Sequence, residues 1–72
     1  MISHKKYIQM AIELAKKGKG TASPNPLVGC LIVKRNAIVG KGYHKKAGQE
    51  HAEIIAIKEA GKKAVNGAMY VT

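Results

Sequence analysis

The sequence predicts an α/β fold in which helices cover a small sheet. Three observations point to it. Apolar residues recur at helical spacing near the N-terminus and again around residue 55, and two β-branched runs lie back to back between them. The resulting order is helix, two strands, helix, strand. Within the first run, Leu31-Ile32-Val33 is continuously apolar, which predicts a strand covered on both faces.

The first helix is read from Ser3 to Lys17. Ile8, Ala11, Ile12 and Ala15 form its apolar stripe, flanked by Tyr7, Met10 and Leu14. Ser3 is placed at the N-cap, and Gly18 at C′ after a lysine-rich last turn. From Gly18 to Pro26, two glycines and two prolines dictate loop. Leu27–Lys34 and Ala37–Lys41 read as an antiparallel hairpin turned at Arg35-Asn36. A second helix spans His51–Ala60 and stops at Gly61. Its residues Ala52, Ile54, Ile55, Ala56 and Ile57 leave little polar face, so it is expected to be largely buried. Ala68–Thr72 begins a third strand. The chain ends inside that strand, so residues 1–72 read as the N-terminal portion of a single domain.

The length of 72 residues excludes two domains and limits the core, since so short a chain buries only roughly 60% of its unfolded surface. Cys30 is the only cysteine, so no disulfide can form within the chain, as suits a reducing compartment. Hydrophobic residues at 46% exclude wholesale disorder. No apolar run approaches the ~20 residues of a membrane span. Lys5, Lys6, Gln9 and Glu13 interrupt the stretch a secretory signal would need. A soluble cytoplasmic protein with no membrane partner is expected.

Thirteen Lys and Arg against four acidic residues give a formal charge of +9, which invites a nucleic-acid reading. The lysines are spread, however, over Lys5-Lys6, Lys16-Lys17, Lys19, Lys45-Lys46 and Lys62-Lys63, with no Phe or Trp between them for base stacking. A solvated basic surface is the better reading, and no nucleic-acid partner is expected.

Three clusters could carry chemistry. His51-Ala52-Glu53 opens the second helix, where the dipole and unpaired N–H groups favour negative charge. Imidazole is a good zinc ligand, and a carboxylate beside zinc-bound water can move its protons. Taken alone, Glu53 equally serves to offset the dipole and His51 to cap the helix. Next, Ser23-Pro24-Asn25-Pro26 holds Asn25 extended, because each proline restrains the residue before it. A fixed asparagine offers a donor and an acceptor to a heterocycle edge, though turn chemistry also uses it. Last, Gly40-Lys41-Gly42-Tyr43-His44 sets a histidine just past a glycine-flanked strand end.

In this order, Pro24-Asn25-Pro26, Val28-Gly29-Cys30, Gly42-Tyr43-His44, Ala47-Gly48 and His51-Ala52-Glu53 resemble the zinc-dependent cytidine/nucleotide deaminase superfamily. Within it, the chain resembles the N-terminal deaminase domain of bifunctional riboflavin-biosynthesis deaminase/reductases, and the resemblance runs from Tyr7 to Thr72. The resemblance implies a three-layer α/β/α cytidine-deaminase-like fold, of which this chain is the N-terminal portion. It implies hydrolytic deamination of diaminohydroxyphosphoribosylaminopyrimidine, a small-molecule pyrimidine ribotide. His51 would be a zinc ligand, Glu53 the catalytic proton shuttle, Asn25 the reader of the pyrimidine, and His44 a neighbour of the substrate. Cys30 belongs to the strand motif. The family draws two further zinc ligands from cysteines beyond the equivalent of Thr72, and NADPH serves only a reductase domain that this sequence does not contain. Activity is therefore expected of an intact parent and not of 72 residues alone. The unpaired edge of the third strand makes homo-oligomerisation a further expectation. A tRNA adenosine deaminase shares His-Ala-Glu, but such relatives usually carry Asn where this chain has His44. A non-catalytic basic binding module is the remaining alternative.

Overall fold

A computed structural model describes residues 4–19, 27–45 and 48–72. Helix α1 spans His4–Ala15 and tightens into a 3-10 turn over Lys16–Gly18. Strand β1 (Gly29–Lys34) and strand β2 (Ala37–Tyr43) form the hairpin. Helix α2 (Ala52–Ala60), a second 3-10 turn (Gly61–Ala64) and strand β3 (Ala68–Val71) follow. The assigned N-cap Ser3 lies outside the described residues.

The hairpin turns where the sequence indicates. Arg35 and Asn36 have φ of 51° and 63°, the paired positive values of a two-residue turn that matches strand twist. The Tyr7 hydroxyl donates to the Asn36 carbonyl at 3.4 Å and ties α1 to this turn. Ile32 pairs with Gly40 but Val33 with Ile38, so Val39 is the extra residue of a β-bulge. Past the bulge, β2 runs on to Tyr43, two residues beyond the sequence-based end at Lys41.

Strand β3 adds antiparallel to the other side of β1, pairing Val71 with Cys30 and Ala68 with Val33, and the sheet order is β2-β1-β3. The central β1 is therefore covered on both faces, as its unbroken apolar run predicts. Leu31 and Val33 pack with Tyr7, Ala11, Leu14 and Tyr70 on the α1 side. Cys30 and Ile32 pack with Ala52, Ala56 and Ala60 on the α2 side. Helix, sheet and helix make three layers.

Two details of packing differ from expectation. The buried face of α1 is Tyr7, Ala11, Leu14 and Ala15, whereas Ile8 and Ile12 are 37% and 42% exposed. The cause is Gly29: a Cβ built there would lie 2.0 Å from the Ala11 carbonyl oxygen. Ala11 and Ala15 permit that approach, so they face the sheet together with Tyr7 and Leu14, and Ile8 and Ile12 turn outward. Helix α2 is likewise not largely buried. Ala52, Ala56 and Ala60 alone are fully enclosed, and Ile54 and Ile57 are each 44% exposed. Here Gly40 and Gly42, two apart and so on one face of β2, take the helix backbone directly. Close approach narrows the buried face to one alanine stripe.

Candidate active site at one end of the sheet

Antiparallel pairing gathers one end of each strand. Gly29 opens β1 opposite Tyr43, which closes β2. At the same end Thr72, just past β3, donates its N–H to the Gly29 carbonyl at 3.1 Å. Helix α2 also starts here, because its first turn sits on Gly42: a Cβ at Gly42 would meet the Ala52 carbonyl oxygen at 2.5 Å. His51 and Glu53 are thereby carried to the strand ends.

His51 occupies the N-cap with extended backbone (φ −71°, ψ 158°) and makes no side-chain capping bond. Its carbonyl accepts the Ile54 and Ile55 N–H groups, so the backbone starts the helix while the exposed imidazole stays clear of that task. Glu53 lies half-buried in the first turn, where the helix N-terminus favours a carboxylate. His44 leaves β2 with its N–H donated to the Val28 carbonyl at 3.1 Å. Its ring is only 4% exposed, its Nδ1 lies 3.3 Å from the Glu50 carbonyl, and its centroid is 5.4 Å from that of His51. A carbonyl can only accept, so Nδ1 carries the hydrogen in that bond and a neutral His44 keeps its lone pair on Nε2.

Of the four sequence-predicted site residues, His44 and His51 meet ring against ring, and Glu53 follows His51 in the first turn of the same helix. Asn25 lies outside the described residues, three positions before Val28, whose carbonyl holds His44. Cys30 is fully buried in β1 beneath α2. Burial first, and the Glu53 carboxylate second, push its thiol up to about 11. It remains protonated at neutral pH, whereas zinc takes thiolate. The strand-motif assignment of Cys30 therefore has a physical basis.

The fit to zinc is partial. His51 offers a free imidazole, but among the described residues no three of His, Cys, Asp and Glu are grouped to hold a metal. A catalytic zinc takes three protein ligands and a water. These residues supply one donor and do not complete a centre. A surface depression of about 470 Å³ along β2, lined by Met10, Leu14, Leu31 and Ile38 with Glu13 and Glu59, contains none of the site residues. A smaller hollow is lined by Lys45, Gly48, Gln49, Glu50 and Ile55 and so borders the turn before His51.

Residues 1–72 match the family described as the cytidine and deoxycytidylate deaminase zinc-binding region. The chain belongs to that family. Similar members include the riboflavin biosynthesis protein RibD of Buchnera aphidicola subsp. Baizongia pistaciae, 58% identical over 66 residues. That match takes in 92% of this chain and 18% of the relative. A diaminohydroxyphosphoribosylamino-pyrimidine deaminase of Buchnera aphidicola subsp. Acyrthosiphon pisum is also 58% identical over 66 residues, and 45% of its length is covered. Among solved structures, Acinetobacter baumannii RibD superposes with a TM-score of 0.94 at 49% identity, over 96% of this chain and 19% of that one. A Thermotoga maritima deaminase/reductase gives 0.90 at 42% identity, over 96% of this chain and 21% of that one. The α/β/α arrangement of this deaminase-family chain is therefore that of the solved RibD proteins. The chain spans about a fifth of the length of the RibD relatives it matches.

Sequence reasoning did not single out Thr72, which the fold bonds to the Gly29 lead-in. Nor did it assign the close seat of α2 to Gly40 and Gly42, although their two-residue spacing was visible.

Proposed function

We propose that this chain is the amino-terminal portion of a deaminase that acts hydrolytically on diaminohydroxyphosphoribosylaminopyrimidine in riboflavin biosynthesis. The observation that carries the reading is the meeting of His44 and His51 at one sheet end, with Glu53 in the first turn of the helix that His51 opens. Relatives that bear the substrate's name support the choice of pyrimidine. In this reading His51 donates one ligand to zinc, and the remaining donors come from outside the described residues. Bound zinc supplies a water of lowered pKa.

The chain's own groups do the rest. Glu53 stands in the first turn of α2 as the acceptor of a proton from water. It passes that proton to the ring nitrogen, then takes the proton left on the added hydroxyl and hands it to the amino group, which departs as ammonia. His44, its Nδ1–H directed at the Glu50 carbonyl, lies beside the substrate in this reading. Asn25, which stands between two prolines in the sequence, reads the pyrimidine edge with its amide.

Glu53→Gln in the zinc-loaded enzyme tests the assignment. The amide keeps size and hydrogen bonding but cannot carry the proton, so ammonia release should fall roughly 10²- to 10⁴-fold. Zinc content, measured by elemental analysis, should not change. Near-normal turnover in this variant would overturn the reading of Glu53.

A further inference from the structure

We propose that Thr72 is a positioning residue for His44, acting through the Val28–Gly29 backbone. The assignment rests on the deaminase reading only for its kinetic consequence. With Cys30 paired to Val71, the next rung of the β1–β3 ladder is Gly29 opposite Thr72, a pair that should exchange two backbone hydrogen bonds. One forms normally, from the Thr72 N–H to the Gly29 carbonyl at 3.1 Å. The return bond from the Gly29 N–H ends instead on Thr72 Oγ1, at 3.0 Å. The hydroxyl stands in for the main-chain carbonyl. The rung closes through the side chain.

This rung matters because of its neighbour. Val28, one residue before Gly29, accepts the His44 N–H. The Val28–Gly29 segment is gripped from β2 by His44 and from β3 by Thr72. Gly29 is buried, and the Ala11 and Ala15 backbone presses on its open side. Its N–H, deprived of the hydroxyl, is left enclosed without that partner, and the segment shifts to relieve it. His44 moves with the segment. The displacement reaches the pair of rings, since His44 sits 5.4 Å from His51 with its Nδ1 against Glu50.

The experiment compares the unmutated protein with Thr72→Val, which replaces the hydroxyl by a methyl of similar size, and Thr72→Ser, which keeps it. Hydrogen exchange at the Gly29 amide and the ¹⁵N resonances of the His44 ring are read by NMR. Thr72→Val should speed Gly29 exchange by roughly three- to tenfold, the worth of one hydrogen bond, and shift the His44 resonances. Thr72→Ser should leave both near their unmutated values. In the zinc-loaded enzyme, KM for diaminohydroxyphosphoribosylaminopyrimidine should rise by a similar factor in Thr72→Val, with kcat changing less. Unmoved Gly29 exchange and His44 resonances in Thr72→Val, or a Ser variant that behaves like Val, overturns the assignment. If Thr72→Val fails to fold, the unmutated protein decides: a Gly29 amide that exchanges like an unbonded one refutes it. If the resonances move as expected but the unmutated enzyme does not release ammonia from the ribotide, the Thr72 link stands and the deaminase reading falls.

Discussion

Gly42→Ala probes the seat of α2, on which the placement of His51 and Glu53 depends. The new Cβ would lie 2.5 Å from the Ala52 carbonyl oxygen, 2.8 Å from Ile55 Cβ and 2.9 Å from the Ala56 nitrogen. Two of these are helix backbone and the third is a Cβ, so no flexible side-chain tip can swing aside. Restoring the shortest contact to an ordinary 3.4 Å requires the first turn of α2 to retreat by about 0.9 Å. Overpacking of this kind costs about 1–3 kcal/mol. A chain of 72 residues has a total stability of only roughly 4–11 kcal/mol. A loss near 2 kcal/mol lowers Tm by roughly 8–16 °C in a domain this small. Misplacing a catalytic group by about 1 Å can also cost on the order of 100-fold in rate. Circular dichroism melts measure the first effect, and ¹⁵N shifts of His51 and Glu53 measure the second. Gly40→Ala serves as the discriminating partner. Its Cβ would meet the Ala56 oxygen at 2.4 Å and Ala60 Cβ at 2.8 Å, towards the far end of the helix. It should destabilise comparably while disturbing His51 and Glu53 less. Val65→Ala, at a residue 63% exposed, should stay within about 0.5 kcal/mol. A Gly42→Ala protein that melts with the Val65→Ala control would refute the close seat of α2 on β2.

Three further outcomes follow from local chemistry. Replacing Arg35-Asn36 by Asn-Gly, through R35N and N36G together, relieves two positive φ values and should raise stability by about 0.5–1 kcal/mol. A lower Tm in that double variant would contradict the turn geometry. Cys30, with its thiol raised from 9.0 to about 11, binds its proton more tightly folded than unfolded. Its contribution is whole below about pH 9 and is lost as pH rises towards 11. Between pH 8 and 10.5 the melting temperature should therefore fall further in the unmutated protein than in Cys30→Ala, and equal falls would contradict the raised thiol. The same burial should keep Cys30 from reacting with Ellman's reagent until the chain unfolds, as a stopped-flow comparison in native and denaturing buffer would show.

Much of this molecule is legible without coordinates. Positive-φ demand at Arg35-Asn36 places a turn between two β-branched runs, and the continuous Leu31-Ile32-Val33 run declares a strand with no solvent face. Gly61 ends α2 at a φ of 58°, a conformation open to glycine at little cost. The motif order points to the deaminase family, and the fold brings His44 and His51, from two of those motifs, together at one sheet end. These signals survive in one dimension because backbone sterics and periodicity are local.

Rotation and distance are not local. Hydropathy ranks Ile8 and Ile12 above Ala11 as core residues, yet α1 turns alanine inward because Gly29 lets its backbone approach. The same reversal exposes Ile54 and Ile57 and buries the Ala52, Ala56 and Ala60 stripe. A helix seats where backbone-to-backbone distance can be shortest, which depends on glycines in a different element. The meeting of His44 with His51, the hold of Val28 on His44, and the Thr72 hydroxyl on Gly29 likewise join residues from separate elements. The letters state which groups are present. Register across β1 and the small-residue contacts that seat both helices set where those groups stand.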